Sequence, residues 1–200
     1  MSTPAPLGIV LAGGAGRRIG GEKALVELDG RPLIHYPVAV LHAVLGEVVV
    51  VCKESTPLPT FAGMARIWCE PEEPRHPFAG VICALRESGG RPVLVCAADM
   101  PLVDAGVVRA LLSVRAGDAP AVVPRAGGRL EPLLALYRPA ALPTLEAMEP
   151  GEAATAVVER LDPLVVAIDD EDAFFNVNEP EDLLRASALR AARAAAATRT

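Results

Sequence analysis

The stretch "LGIVLAGGAGRRIGGEK", residues 7–23, decides the fold. Its first six residues are apolar and include β-branched Ile9 and Val10, so they read as a strand covered on both faces. Glycines 13, 14 and 16 follow at once, then Arg17, Arg18 and Lys23, with Glu22 as the one acid. Glycine lets the backbone turn tightly and brings bare N–H groups close to a ligand. N–H groups together with cations suit a phosphate. A strand that runs into such a loop begins an open α/β sheet, whose ligands bind beyond the carboxyl ends of the strands. The formal net charge of the whole chain is −6. The positive patch is therefore local, which suits one anion site and argues against nucleic-acid or membrane-surface partners.

Outward from this stretch, further β-branched apolar runs recur at 47–52, 65–69, 91–97, 120–124, 133–137 and 163–168. Helical spacing lies between them at 32–45, 78–88, 104–114 and 139–148. Pro37 either delays the first of these helices or kinks it, and Asp104 is the natural N-cap of the third. Strands alternating with helices predict a mostly parallel sheet. The runs at 120–124 and 130–137, joined by "RAGGR", suit a hairpin instead. One domain over 1–190 accommodates all of this. Glu179 to Leu184 begins a packed helix, and the Ala/Arg-rich residues 191–200 are expected to fray or be disordered.

Hydrophobic residues make up 52% of the 200 and charged residues 22%, enough to bury a sizeable core. No run approaches the ~20 apolar residues of a membrane span. The cysteines at 52, 69, 83 and 96 have no C-x-x-C spacing. Buried, reduced thiols in a cytoplasmic protein are the expectation.

Two familiar phosphate loops do not match. The Walker A pattern has its glycine spacing in Gly16 and Gly21, but Glu22 stands where lysine is needed. The dinucleotide fingerprint needs a glycine where Ile19 stands. Glu54 is the only acid placed to bind a ribose after the second strand, which disfavours a dehydrogenase. A second chemical feature is Asp99, which ends the apolar run "VLVCAAD" and so emerges at the ligand edge of the sheet. A carboxylate there suits Mg²⁺, which takes one or two carboxylates together with phosphate oxygens.

With these residues in order, the chain resembles the molybdenum cofactor guanylyltransferase family of nucleotidyltransferases. "LAGGAGRRIGGEK" is similar to the family's compact L-A-G-G-x-x-x-R-[ML]-G-x-x-K loop. The aspartate of "ADMPL" (98–102) is similar to its metal-binding strand end, "HPFAG" (76–80) to its G-P-L-A-G segment, and "FFNVNEPEDL" (174–183) to its F-x-N-[VI]-N-T-P-E-[DE]-L motif. The resemblance implies a Rossmann-like three-layer α/β/α fold with a mostly parallel mixed sheet. It implies transfer of GMP from GTP to the phosphate of molybdopterin, with pyrophosphate released and Mg²⁺ as cofactor. Arg18, Lys23 and Asp99 would be catalytic, with Asp99 the metal ligand. Leu11, Ala12, Gly13, Gly14, Gly16, Lys23, Lys53, Glu70, Pro77, Gly80 and Asp99 would hold the nucleotide. Asn176, Asn178 and Arg129 would line the acceptor. Proteins that deliver or receive the cofactor would be transient partners.

Two positions near the base depart from the family pattern: Lys53 stands where relatives that use guanine often carry asparagine, and Glu70 stands for a family aspartate. CTP or another small phosphorylated acceptor therefore stays open, as does a nucleotide-binding module without turnover.

Overall fold

A computed structural model describes residues 4–13, 24–73, 76–114, 117–149 and 151–198. The strands are β1 (Leu7–Leu11), β2 (Glu27–Leu28), β3 (Arg31–Pro32), β4 (Val48–Lys53), β5 (Arg66–Glu70), β6 (Val93–Ala97), β7 (Ala121–Ala126), β8 (Arg129–Leu130), β9 (Leu134–Tyr137) and β10 (Leu164–Ala167). The helices are α1 (His35–Leu45), α2 (Ala79–Glu87), α3 (Ala105–Ser113), α4 (Leu142–Glu146), α5 (Ala154–Arg160) and α6 (Pro180–Ala197). The main sheet has the order β10-β7-β9-β6-β1-β4-β5, with β8 paired to β7. β1 runs parallel to β4 and β6, β4 to β5, and β10 to β7, whereas β9 is antiparallel to β6 and β7. The sheet is mixed and mostly parallel.

Strands that are apolar throughout have a use for both faces. In β1, Leu7 and Ile9 pack into the core shared with α2, while Val10 packs into the core on the other side. Gly8 lets α1 approach closely: a Cβ there would meet Glu47 O at 3.2 Å and Leu41 Cβ at 3.3 Å. Helix α1 starts at His35, and Pro37 causes no kink because it sits in the first turn, where the N–H groups have no partner within the helix. Asp104 caps α3 by accepting from the Val107 N–H at 3.0 Å. The "RAGGR" hairpin forms, with φ of 53° at Gly127 and 79° at Gly128, the left-handed pair of a tight turn. The 139–148 helix begins with a 3-10 turn at Pro139–Ala141 before α4.

Residues 191–197, expected to fray, continue α6 instead. Arg193 explains this, because it donates to both Asp170 carboxylate oxygens and to Leu102 O, each at 2.6 Å. One turn earlier, Arg190 reaches the Asp29 carboxylate and lies over the Tyr36 ring.

Candidate active site

The chain leaves β1 toward β4 and β5, then crosses back through α2 to place β6 on the other side of β1. Strand order therefore reverses between β1 and β6, and at such a point of an open α/β sheet ligands bind in a crevice beyond the carboxyl ends of the strands. Four candidate residues stand along that edge in the order of their strands: Glu70 ends β5, Lys53 ends β4, Gly13 follows β1, and Asp99 follows β6. Backbone bonds extend the pairing past the strand ends. Ala12 N donates to Val51 O at 2.8 Å, and Ala98 N donates to Leu11 O at 3.0 Å.

The side of the crevice toward α2 is built for close approach. Gly80 sits in the first turn of α2, where a Cβ would meet Leu11 Cδ2 at 2.8 Å and Glu70 Oε2 at 3.0 Å. A Cβ on Gly13 would overlap Glu70 Oε1. The Glu70 carboxylate thus lies on two glycine backbones, and a side chain at either position would have to displace it. Glu70 is 7% exposed. Burial pushes its pKa above the ordinary carboxylate range, and Lys53 pulls it back only in part. Lys53 is buried as well, and its Nζ donates to Pro71 O at 2.8 Å and Glu72 O at 3.0 Å. Pro77 stays exposed beside buried Phe78, whose N–H donates to His76 Nδ1 at 3.2 Å.

Asp99 is half-buried in the turn after β6, and its backbone oxygen accepts from Val177 N–H at 2.9 Å. That bond brings "NVN" to the Asp99 turn. Val177 is fully buried against the β2–β3 hairpin, whereas Asn176 is half-buried and Asn178 exposed. The Asn176 amide donates to Phe174 O at 3.0 Å, and Asn178 N–H donates to Asp182 Oδ2 at 2.8 Å. Asp182 also closes the capping box that starts α6. Exposed Arg129 lies on β8, which pairs with the carboxyl end of β7 and so stands at the same edge of the sheet. Gly14, Gly16, Arg18 and Lys23 lie outside the described residues. What the sequence hides is the Lys53–Glu70 contact, at 3.6 Å. Parallel pairing of two strand ends creates it, and the order of residues along the chain carries no sign of it.

Among the described residues, no group of three His, Cys, Asp or Glu can cage a metal. A carboxylate such as that of Asp99 would suit Mg²⁺ if phosphate oxygens and water completed the shell. No helix among the described residues is long and apolar enough to cross a membrane.

Residues 8–165 match the family model of the MobA-like NTP transferase domain. A molybdenum cofactor guanylyltransferase of Cereibacter sphaeroides is 35% identical over 188 residues, covering 91% of this chain and 95% of the relative. The crystal structure of molybdopterin-guanine dinucleotide biosynthesis protein A from Archaeoglobus fulgidus superposes with a TM-score of 0.71 at 30% identity, covering 92% of this chain and 98% of that one. A 2-C-methyl-D-erythritol 4-phosphate cytidylyltransferase from Thermus thermophilus shares the fold, with a TM-score of 0.65 at 21% identity, covering 92% of this chain and 98% of that one.

Proposed function

We propose, since the chain belongs to the MobA-like NTP transferase family, that it is a molybdenum cofactor guanylyltransferase acting in the cytoplasm. The observation that carries the choice of base is the Glu70 carboxylate seated against Gly13 and Gly80 at the nucleotide edge. An ionised carboxylate only accepts hydrogen bonds. Guanine offers two adjacent donors, N1–H and the 2-amino group. Adenine and cytosine set an acceptor beside their donor, and uracil flanks its N–H with two acceptors. An acceptor-only floor therefore favours GTP over CTP.

The chemistry needs little from the protein beyond charge and position. A molybdopterin phosphate oxygen attacks the α-phosphorus of GTP and a new P–O bond forms. The bond from the α-phosphorus to the oxygen bridging to the β-phosphate breaks, and pyrophosphate leaves with that electron pair. The attacking phosphate is already anionic near neutral pH, so no general base is required. The obstacle is repulsion between anions and their alignment. Arg18, Lys23 and the N–H groups of the glycine loop would neutralise the triphosphate and the leaving group. Asp99 would hold Mg²⁺, which when bound supplies positive charge to the phosphate oxygens. Asn176, Asn178 and Arg129 would orient the acceptor, and the proteins that deliver or receive the cofactor would meet the same edge.

Pyrophosphate release tests this. Purified protein, molybdopterin and Mg²⁺ are incubated with each nucleoside triphosphate in turn. Release with GTP and a dinucleotide product are expected. Consumption of CTP in its place overturns the guanine reading. Binding of GTP without release, with acceptor present, overturns the enzyme reading.

A further inference from the structure

Lys53 ends β4 directly beside Glu70 at the end of β5, its partner in register. Only 9% of this lysine is exposed. A buried ammonium is costly unless its hydrogens are taken up. Two of them go to backbone carbonyls just past β5, Pro71 O and Glu72 O. The remaining direction is toward Glu70 Oε1, 3.6 Å away. An ammonium has three donors and no acceptor, so these contacts leave Lys53 nothing to offer a base. Its charge is spent inside the protein, on the one carboxylate that lies against Gly13 and Gly80.

Geometry alone would let this carboxyl do two opposite things. Ionised, both oxygens accept. Protonated, one oxygen becomes an O–H donor, and a base edge with an acceptor beside a donor would then fit. Burial favours the protonated form and the neighbouring ammonium opposes it. The two carbonyl bonds keep that ammonium, and the chain leaving β5, in fixed relation to the carboxylate.

We propose that Lys53 is a positioning residue for base selection: it holds Glu70 as a charged, two-oxygen acceptor at the floor of the crevice and does not itself touch the base. This rests on the guanine reading above. It makes the lysine at the family's asparagine position a different solution to the same selection, working through the acid.

The test compares kcat/KM for GTP and for inosine triphosphate, which lacks the 2-amino group. Wild-type protein should prefer GTP by about 10- to 100-fold, the worth of one hydrogen bond to a charged acceptor. Lys53→Met should bring that preference to within about threefold, mainly by raising KM for GTP, because kcat depends on groups elsewhere at the edge. Lys53→Gln keeps a donor for one carbonyl but no charge, so it should behave alike; it decides the matter if the methionine variant does not fold. Lys53→Arg keeps the charge and should retain most of the preference. Uncharged variants that keep the wild-type preference, or that lose GTP and inosine triphosphate activity in equal measure, overturn the proposal. A wild-type protein that does not use GTP overturns the functional reading instead. One that uses GTP and inosine triphosphate equally well overturns the role of Glu70.

Discussion

Asp99 and Glu70 are both carboxylates at the ends of strands, yet their burial sets them apart. The Asp99 turn is tied through its backbone, by Val177 N–H donating to Asp99 O. Removing the side chain leaves that bond in place. Asp99→Ala should therefore keep the wild-type circular dichroism, with no measurable pyrophosphate release; turnover near the wild-type rate would remove Asp99 from the chemistry. Glu70 is different, because burial raises its pKa. A carboxyl with a higher pKa folded than unfolded stabilises the fold only while protonated. That contribution is complete below the unfolded value of about 4.3 and is gone once pH passes the folded value. At neutral pH the ionised group is therefore a net cost to the fold. Glu70→Gln, an isostere that stays neutral, should unfold at or above the wild-type temperature at pH 7. Its advantage should vanish below about pH 4, where Glu70 itself is neutral in both states. Thermal melts of both proteins across that range check it, and a variant less stable than wild type at pH 7 would contradict it.

At the scale of elements, helix α2 is placed by its first turn. Gly80→Ala sets two effects against each other. Alanine gains about 1 kcal/mol in helix propensity over glycine, while forcing a methyl into a packed contact costs roughly 1–3 kcal/mol. With Leu11 Cδ2 at 2.8 Å and Glu70 Oε2 at 3.0 Å from the new atom, the contact should win. Net stability should fall by about 1 kcal/mol, and KM for GTP should rise with kcat little changed. Urea unfolding and steady-state kinetics read the two quantities. The same scale shows what was legible beforehand. Five of the seven longer strands (β1, β4, β6, β7 and β9) announce themselves because both of their faces are largely buried, which leaves apolar runs such as "EVVVVC"; β5 and β10, at the two ends of the strand order, are partly exposed and show only through their β-branched and aromatic residues. The pairs β2–β3 and β8 are two residues long, too short to show a period. Helix α5 escapes notice because Val157 and Val158 are its only buried residues, in an otherwise unremarkable "ATAVVER". The continuation of α6 was masked by composition: Ala and Arg fit a loose tail equally well until Asp170 and Leu102 O are seen beside Arg193. Asp99 and Gly13 stand out in the sequence because each follows an apolar run with a residue type a strand does not want, and the structure places both just past the ends of β6 and β1. The engagement of Lys53 with the segment after β5 depends on two strands lying side by side, and only the folded chain shows it.

For the molecule as a whole, the cysteines report how the layers protect the sheet. Cys96 is fully buried in β6, and Cys52 is buried near the end of β4. Burial pushes the Cys52 thiol up to about 11 and raises Cys96 as well. Cys69 is exposed on the edge strand β5. Thiolate is the reactive form, so a thiol reagent at pH 8 should label Cys69 promptly. Cys52 and Cys96 should react only as fast as the protein opens; prompt labelling of either would mean that the central sheet is looser than described. The order of the chain has one more outcome. The hydrogen bond from Val177 to Asp99 and the one from Arg193 to Leu102 both reach back to the turn after β6 from chain made after every strand of the sheet. During synthesis, β1, β4, β5 and β6 leave the ribosome long before their partners in that turn do. A nascent chain halted ahead of Val177 thus carries the sheet but lacks both of those ties on the Asp99 turn, and translation itself sets the moment at which that turn acquires them.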